Sequence, residues 1–157
     1  MRYSLTQGSG GTQQNLTTTY KTQVAITAAT GATTLRRAWI YEASFGTDTA
    51  PADNVITYKL DRQNTGLGTA TTVVPAPLDA SDAAALITAR ANHTAEPTII
   101  SATQLLEMPL NQRASFTWYA APNSELVVPA IDLTGIGLRA KSPAYTSTVM
   151  TGIKFLE

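Results

Sequence analysis

Residues 111–130, NQRASFTWYAAPNSELVVPA, set a tryptophan beside a tyrosine, with an arginine and a glutamate toward the edges and a Pro-Asn-Ser turn between them. Such a mixture suits a ligand platform, where rings stack and charges hydrogen-bond, or an ordinary β-core carrying one polar-tipped surface ring. The spacing favours the core. In ASFTWYA, Phe116 and Trp118 share a strand face with Ala114 and Ala120, while Ser115, Thr117 and Tyr119 share the other. Pro122-Asn123-Ser124 is ordinary turn chemistry.

Acid–base chemistry has little to build on. His93 is the single histidine and there is no cysteine, so a triad or a histidine-based zinc site would have to be assembled around one imidazole. Its neighbours, AN before and TAEP after, supply no nucleophile at a useful spacing, and His93 reads as a loop residue following a helix. The 11 acids are scattered, mostly at turns (Asp48, Asp53, Asp79, Asp82, Asp132), with no pattern that pairs two across a glycosidic bond. DASD has too few ligands, and no glycine at the sixth position, for a calcium loop of the EF-hand type. Gly66-Leu67-Gly68 opens no helix, so it is neither a dinucleotide fingerprint nor a phosphate loop. Asn15-Leu16-Thr17 and Asn92-His93-Thr94 match the glycosylation sequon, but without a secretory route both read as chance matches. The expectation is a non-enzyme with no catalytic residues, no cofactor and no metal. A lectin-like or fibre-tip reading stays open as a fold-level analogy, because exposed aromatics such as Tyr119 or Tyr145 could stack on sugars.

The elements that would carry these residues are short β-branched and aromatic runs separated by Gly, Pro, Asn and Asp, the pattern of an all-β sandwich or barrel. Strands are expected at Tyr20–Ala28, Leu35–Phe45, Asn54–Arg62, Thr69–Val74, Thr98–Met108, Ala114–Ala120, Leu126–Ile131, Gly135–Ala140 and Thr146–Phe155. In LRRAWIYEASF, Leu35, Trp39, Tyr41, Ala43 and Phe45 fall on one face, with Arg36, Ala38, Ile40, Glu42 and Ser44 on the other. In NVITYKLDR, Ile56, Tyr58 and Leu60 oppose Thr57, Lys59 and Asp61. Pro75 and Pro77 place the strand before them at a sheet edge. One helix is expected over Asp79–Asn92, capped by Asp79 or Ser81, favoured by Asp82 and Ala83–Ala85, and closed by Asn92. It would cover one end of the sandwich. Residues 1–19 are polar and glycine-rich, and read as a flexible N-terminal arm preceding a domain at 20–157. That arm is either a frayed end or a segment ordered against a neighbouring subunit.

Bulk composition narrows the function classes. A chain of 157 residues is the size of one domain and buries enough surface to be stable without staples. Lys+Arg and Asp+Glu are both 11, giving zero net charge, where a nucleic-acid binder would carry a basic excess. Charged residues make up only 14% of the chain, so little self-repulsion opposes association, which favours a surface partly covered by partners. The first twenty residues hold no apolar core of signal-peptide length, and no apolar run is long enough to span a membrane. The chain is expected to be made in a cytoplasm and to bind neither membrane nor nucleic acid.

Four longer phrases carry a family resemblance: RRAWIYEASFGTDTAPADNVITYKLDR, PAPLDASDAAALITARANHTAEPT, NQRASFTWYAAPNSELVVPA and GIGLRAKSPAYTSTV. Together they resemble the jelly-roll decoration (cement) proteins on the outside of tailed-phage and cyanophage capsids, over most of residues 35–157. The resemblance implies a jelly-roll β-sandwich of about eight strands that assembles as a homotrimer. It also implies a position on the capsid exterior, over three-fold or quasi-three-fold sites of the major capsid protein shell. There the trimer clamps adjacent subunits and stabilises the particle. The N-terminal arm is the natural candidate to thread along the shell or a neighbouring copy, with Arg2, Tyr3, Leu5, Gln7, Gln13 and Gln14 as candidate partner contacts.

Overall fold

The computed structural model describes residues 1–28, 35–50, 52–142 and 147–157. Strands dominate them: β1 (Arg2–Thr6), β2 (Lys21–Thr27), β3 (Ala38–Thr47), β4 (Val55–Gln63), β5 (Thr69–Val73), β6 (Ala76–Pro77), β7 (Thr88–Ala95), β8 (Ile99–Asn111), β9 (Phe116–Tyr119), β10 (Leu126–Val128), β11 (Gly135–Lys141) and β12 (Val149–Leu156). A 3-10 turn, Gln7–Gly10, follows β1. The first sheet has the order β10-β3-β12-β1-β6, with β9 joined to β3 beside β10. The second has the order β5-β7-β2-β11-β4-β8. Both sheets are antiparallel, and the chain is an all-β sandwich.

Alternation along each strand places one apolar face inward. Tyr3, Ile40 and Phe155 from the first sheet meet Ile26, Leu60 and Leu138 from the second, all buried, each burial stabilising by roughly 1.5–3 kcal/mol. Rings pack both within the first sheet and between the layers. Tyr3 stacks on Phe155 at 5.5 Å. Phe45 of the first sheet meets Tyr58 of the second edge-on at 5.2 Å, and the Tyr58 hydroxyl donates to the Gly46 carbonyl at 3.1 Å. Ile56, Tyr58 and Leu60 face the core as their spacing requires. β5 lies at a sheet edge, as the prolines after it imply.

Three expectations are corrected. First, the N-terminus is not a flexible arm. β1 sits between β12 and β6, pairing Leu5 with Ile153 and Tyr3 with both Phe155 and Pro77. Gln7 is buried, donating to Gln23 Oε1 at 2.6 Å and accepting from Thr151 at 3.1 Å, and Leu16 is also buried. The polar composition hid the two inward apolar residues of a five-residue strand. Residues 1–19 therefore belong to the sandwich rather than precede it.

Second, Asp79–Asn92 is not a helix. The capping chemistry exists: Asp79 Oδ1 accepts from the Ser81 amide at 2.9 Å and its hydroxyl at 2.7 Å. It closes a local turn instead of starting a helix, the competition short polar side chains always offer. From Ile87 onward the burial alternates, with Ile87, Ala89 and Ala91 inward, and β7 pairs with β2 and β5. Third, twelve strands replace the expected eight or nine among the described residues.

The faces of β3 also change sides midway. Lys154 pairs with Glu42 but Phe155 pairs with Ile40, so Tyr41 is an extra residue, a β-bulge that flips the side-chain parity. Ala38 and Ile40 point inward before it, Ala43 and Phe45 after it. Trp39, expected to share the buried face of Phe45, is turned outward.

Candidate functional site

The densest group of titratable side chains lies on the outer face of the second sheet. Along β4, Lys59 and Asp61 alternate with the core residues Tyr58 and Leu60 and so point outward. On β11, Arg139 lies opposite Lys59. The buried Asp61 carboxylate accepts from Arg139 Nη1 at 2.9 Å and lies 3.6 Å from Lys59 Nζ. Glu96 stands 3.6 Å from Arg139 Nη2 and accepts from the Thr22 amide at 3.0 Å and the Thr22 hydroxyl at 2.6 Å. Tyr20 roofs the group, with Lys59, Arg139 and Lys141 at 5.0, 5.3 and 4.6 Å from its ring centroid. Its hydroxyl donates to Glu107 at 2.7 Å. Burial, then that hydrogen bond, pushes the phenol well above its ordinary value. Every acid here faces a cation or a donor, and the group acts as a clasp across β2, β4, β8 and β11 rather than as a site for substrate.

His93 is neither exposed nor in a loop. It is fully buried on β7. The backbone of Thr22 and Leu67 approaches the ring, yet neither nitrogen makes a well-formed hydrogen bond. Burial lowers its pKa, with Glu96 opposing, so the imidazole is neutral near pH 7. Asn92 is buried and donates to the Gln7 carbonyl at 3.3 Å, so its sequon is closed to modification in the folded chain. The remaining acids go separate ways: Asp53 pairs with exposed Arg113 at 2.9 Å, Asp48 accepts from Thr148, and Asp79 closes its turn. Among the described residues no group of three or more His, Cys, Asp or Glu is placed to hold a metal ion.

The candidate partner contacts separate by burial. Tyr3, Leu5 and Gln7 are buried in the sandwich, because β1 is an interior strand, and Tyr3 reaches the surface as part of a cleft floor. Arg2 stays exposed on the outer face of β1. Gln13 donates to the Val149 carbonyl at 3.0 Å, and Gln14 lines a shallow cleft with Thr69 and Thr71.

Around Arg2 the structure assembles a surface that sequence reasoning missed. Met1, Leu78 and Leu86 are 56%, 50% and 53% exposed. They surround two adjoining clefts of about 340 and 480 Å³. The first lies over Tyr3, Ala83, Ala84 and Leu86, the second over Arg2, Leu78, Asp82 and Leu156. The flank is held firmly. The Tyr3 hydroxyl donates to the Ala83 carbonyl at 2.9 Å. The Glu157 carboxylate accepts from the amides of Leu86 at 3.1 Å and Ile87 at 3.3 Å, with Arg36 at 3.9 Å. Clefts with apolar side chains and an Arg/Asp/Glu rim can seat side chains from a partner. Nothing in the sequence signals this flank, because it joins the first strand, the turn at 78–87 and the last residue.

Tyr119 is 65% exposed, as its strand face implies, while Tyr145 lies outside the described residues. Phe116 sits at the rim, its ring 6.5 Å from Phe45, and Trp118 packs against the core. No family model, curated protein or solved structure matches the chain.

Proposed function

We propose that the chain is a structural virion protein that decorates an icosahedral phage capsid from outside. It would act as a homotrimeric jelly roll clamping adjacent major capsid protein subunits at three-fold or quasi-three-fold positions. The four sequence phrases that resemble capsid decoration proteins motivate the reading. The observation that carries it in the structure is the β1/β6 flank, where Met1, Leu78 and Leu86 stand half exposed around Arg2 on a protein of zero net charge. Contiguous exposed apolar groups with a polar rim mark an interaction surface. Several such modest contacts per trimer, repeated over a lattice, give avidity without chemistry.

The test has two steps. Native mass is measured across a concentration series, where a concentration-independent trimer is expected. Wild type, Leu78→Asp and Leu86→Asp are then co-sedimented with empty shells of the major capsid protein. Loss of shell binding in the aspartate variants, with folding retained, supports the reading. Wild-type protein that never sediments with shells overturns it.

A further inference from the structure

The outer face of the first sheet carries a second surface, on different chemistry. The bulge at Tyr41 turns Trp39 outward, 36% exposed, and leaves both Tyr41 and Glu42 on that face. Tyr41 lies close enough to Lys154 and Arg2 to feel their charge, and both of those side chains project outward from β12 and β1. Glu42 is paired with Tyr119 on β9, so their side chains stand about 5 Å apart. Lys154 Nζ lies 2.9 Å from Glu42 Oε1 and feels both the Tyr41 and the Tyr119 hydroxyls. Trp39 lies back along β3, roughly 7–10 Å from Glu42. Three aromatic side chains thus share one outer sheet face with an ion pair whose lysine is 39% and glutamate 14% exposed.

We propose that Trp39, Tyr41 and Tyr119, with the Glu42–Lys154 pair, form a binding platform for a neutral polysaccharide chain. Pyranose rings carry flat C–H-rich faces that pack on aromatic rings, and rims of hydroxyls that both donate and accept. Glu42 supplies an acceptor and Lys154 a donor, already held in place by each other. A protein partner fits less well, since protein interfaces exclude charge from their centres, and covering this pair would desolvate both ions without a replacement. Sugar hydroxyls supply that replacement. The pair is neutral as a unit, and a chain of zero net charge adds no broad basic field that would draw nucleic acid. The sheet face has no walls to enclose a free monosaccharide, so affinity must come from an extended chain crossing several strands. The proposal goes beyond capsid decoration and stands or falls separately from it.

The experiment retains wild-type protein on immobilised dextran, mannan and galactan, with free glucose, mannose and galactose as competitors. Retention on at least one polymer is expected, with the matching monosaccharide competing at least tenfold less well than a soluble fragment of that polymer. Tyr119→Ala and Trp39→Ala should each weaken retention at least tenfold while leaving the thermal midpoint within a few degrees of wild type. Lys154→Met, which keeps the stem and removes the donor, should weaken it as well. Absence of retention on all three polymers overturns the proposal. So does retention untouched by both aromatic variants, or loss of shell binding in those variants with no glycan effect.

Discussion

Arg139 and Asp61 face each other on neighbouring strands of the second sheet, Nη1 to Oδ2 at 2.9 Å, with the carboxylate buried. Lys59 shares the same acid at 3.6 Å, so one carboxylate holds two cations under the Tyr20 ring. Asp61→Asn takes this acid from Lys59 and leaves Arg139 to the more distant Glu96 at 3.6 Å, and is expected to cost about 3–5 kcal/mol, the usual penalty for halving a buried ion pair. Urea unfolding of Asp61→Asn, Arg139→Gln and the double variant reads this directly. The double variant should recover part of the loss. A single-variant loss below about 1 kcal/mol would mean that solvent reaches the pair.

His93 gives the fold an acid sensitivity of its own. Its burial depresses the imidazole pKa, so below the ordinary value of about 6.5 the unfolded chain takes up a proton that the folded chain refuses. Unfolding is then favoured, and stability present above that value is lost as pH falls toward the depressed folded value. Stability measured from pH 7.5 to 5 should fall for wild type and stay flatter for His93→Gln. Parallel slopes would show that the folded imidazole charges freely.

How much of this was legible in the sequence depended on whether a pattern was local. In β4, Ile56, Tyr58 and Leu60 alternate without interruption, and burial follows the spacing. In β3 the same reasoning put Trp39 with Phe45, because a bulge shows only when the partner strand's register is known: Lys154 and Phe155 on β12 decide it. Asp79 and Ser81 carried a true cap signal, but long-range pairing of Ile87, Ala89 and Ala91 with β2 and β5 outweighed alanine's helix preference. For the candidate sites, Tyr119 could be read as exposed from its strand face. Glu42, Lys154 and Trp39 could not be placed beside it, since they come together only through the β9–β3–β12 pairing.

β1 gives the sharpest contrast between an arm and an interior strand. Leu5 is buried and paired with Ile153, so Leu5→Ala is expected to cost about 2–5 kcal/mol, like other leucine truncations in cores. Starting the chain at Thr19 would remove β1 and leave the edges of β12 and β6 unpaired, so such a chain should fail to fold cooperatively. Denaturant curves for both decide the matter. A truncated chain with an unchanged midpoint would restore the arm reading.

Trp118 returns the argument to the stretch around residues 111–130. Its ring is on the inward face, opposite Ala43, and packs against the core. Yet β9 is a four-residue strand at the sheet margin, and the ring remains partly open to solvent. Emptying a fully enclosed aromatic site costs about 3–5 kcal/mol. Trp118 gives up only part of its surface on folding, so Trp118→Ala should cost about 2 kcal/mol. Phe155 is fully buried and stacked on Tyr3, so Phe155→Ala should take the full penalty. Urea midpoints for the two variants test the order, since both remove one aromatic ring from the same sheet. If Trp118→Ala proved the costlier change, the sheet margin at β9 would be closed in solution, with the ring as core rather than rim.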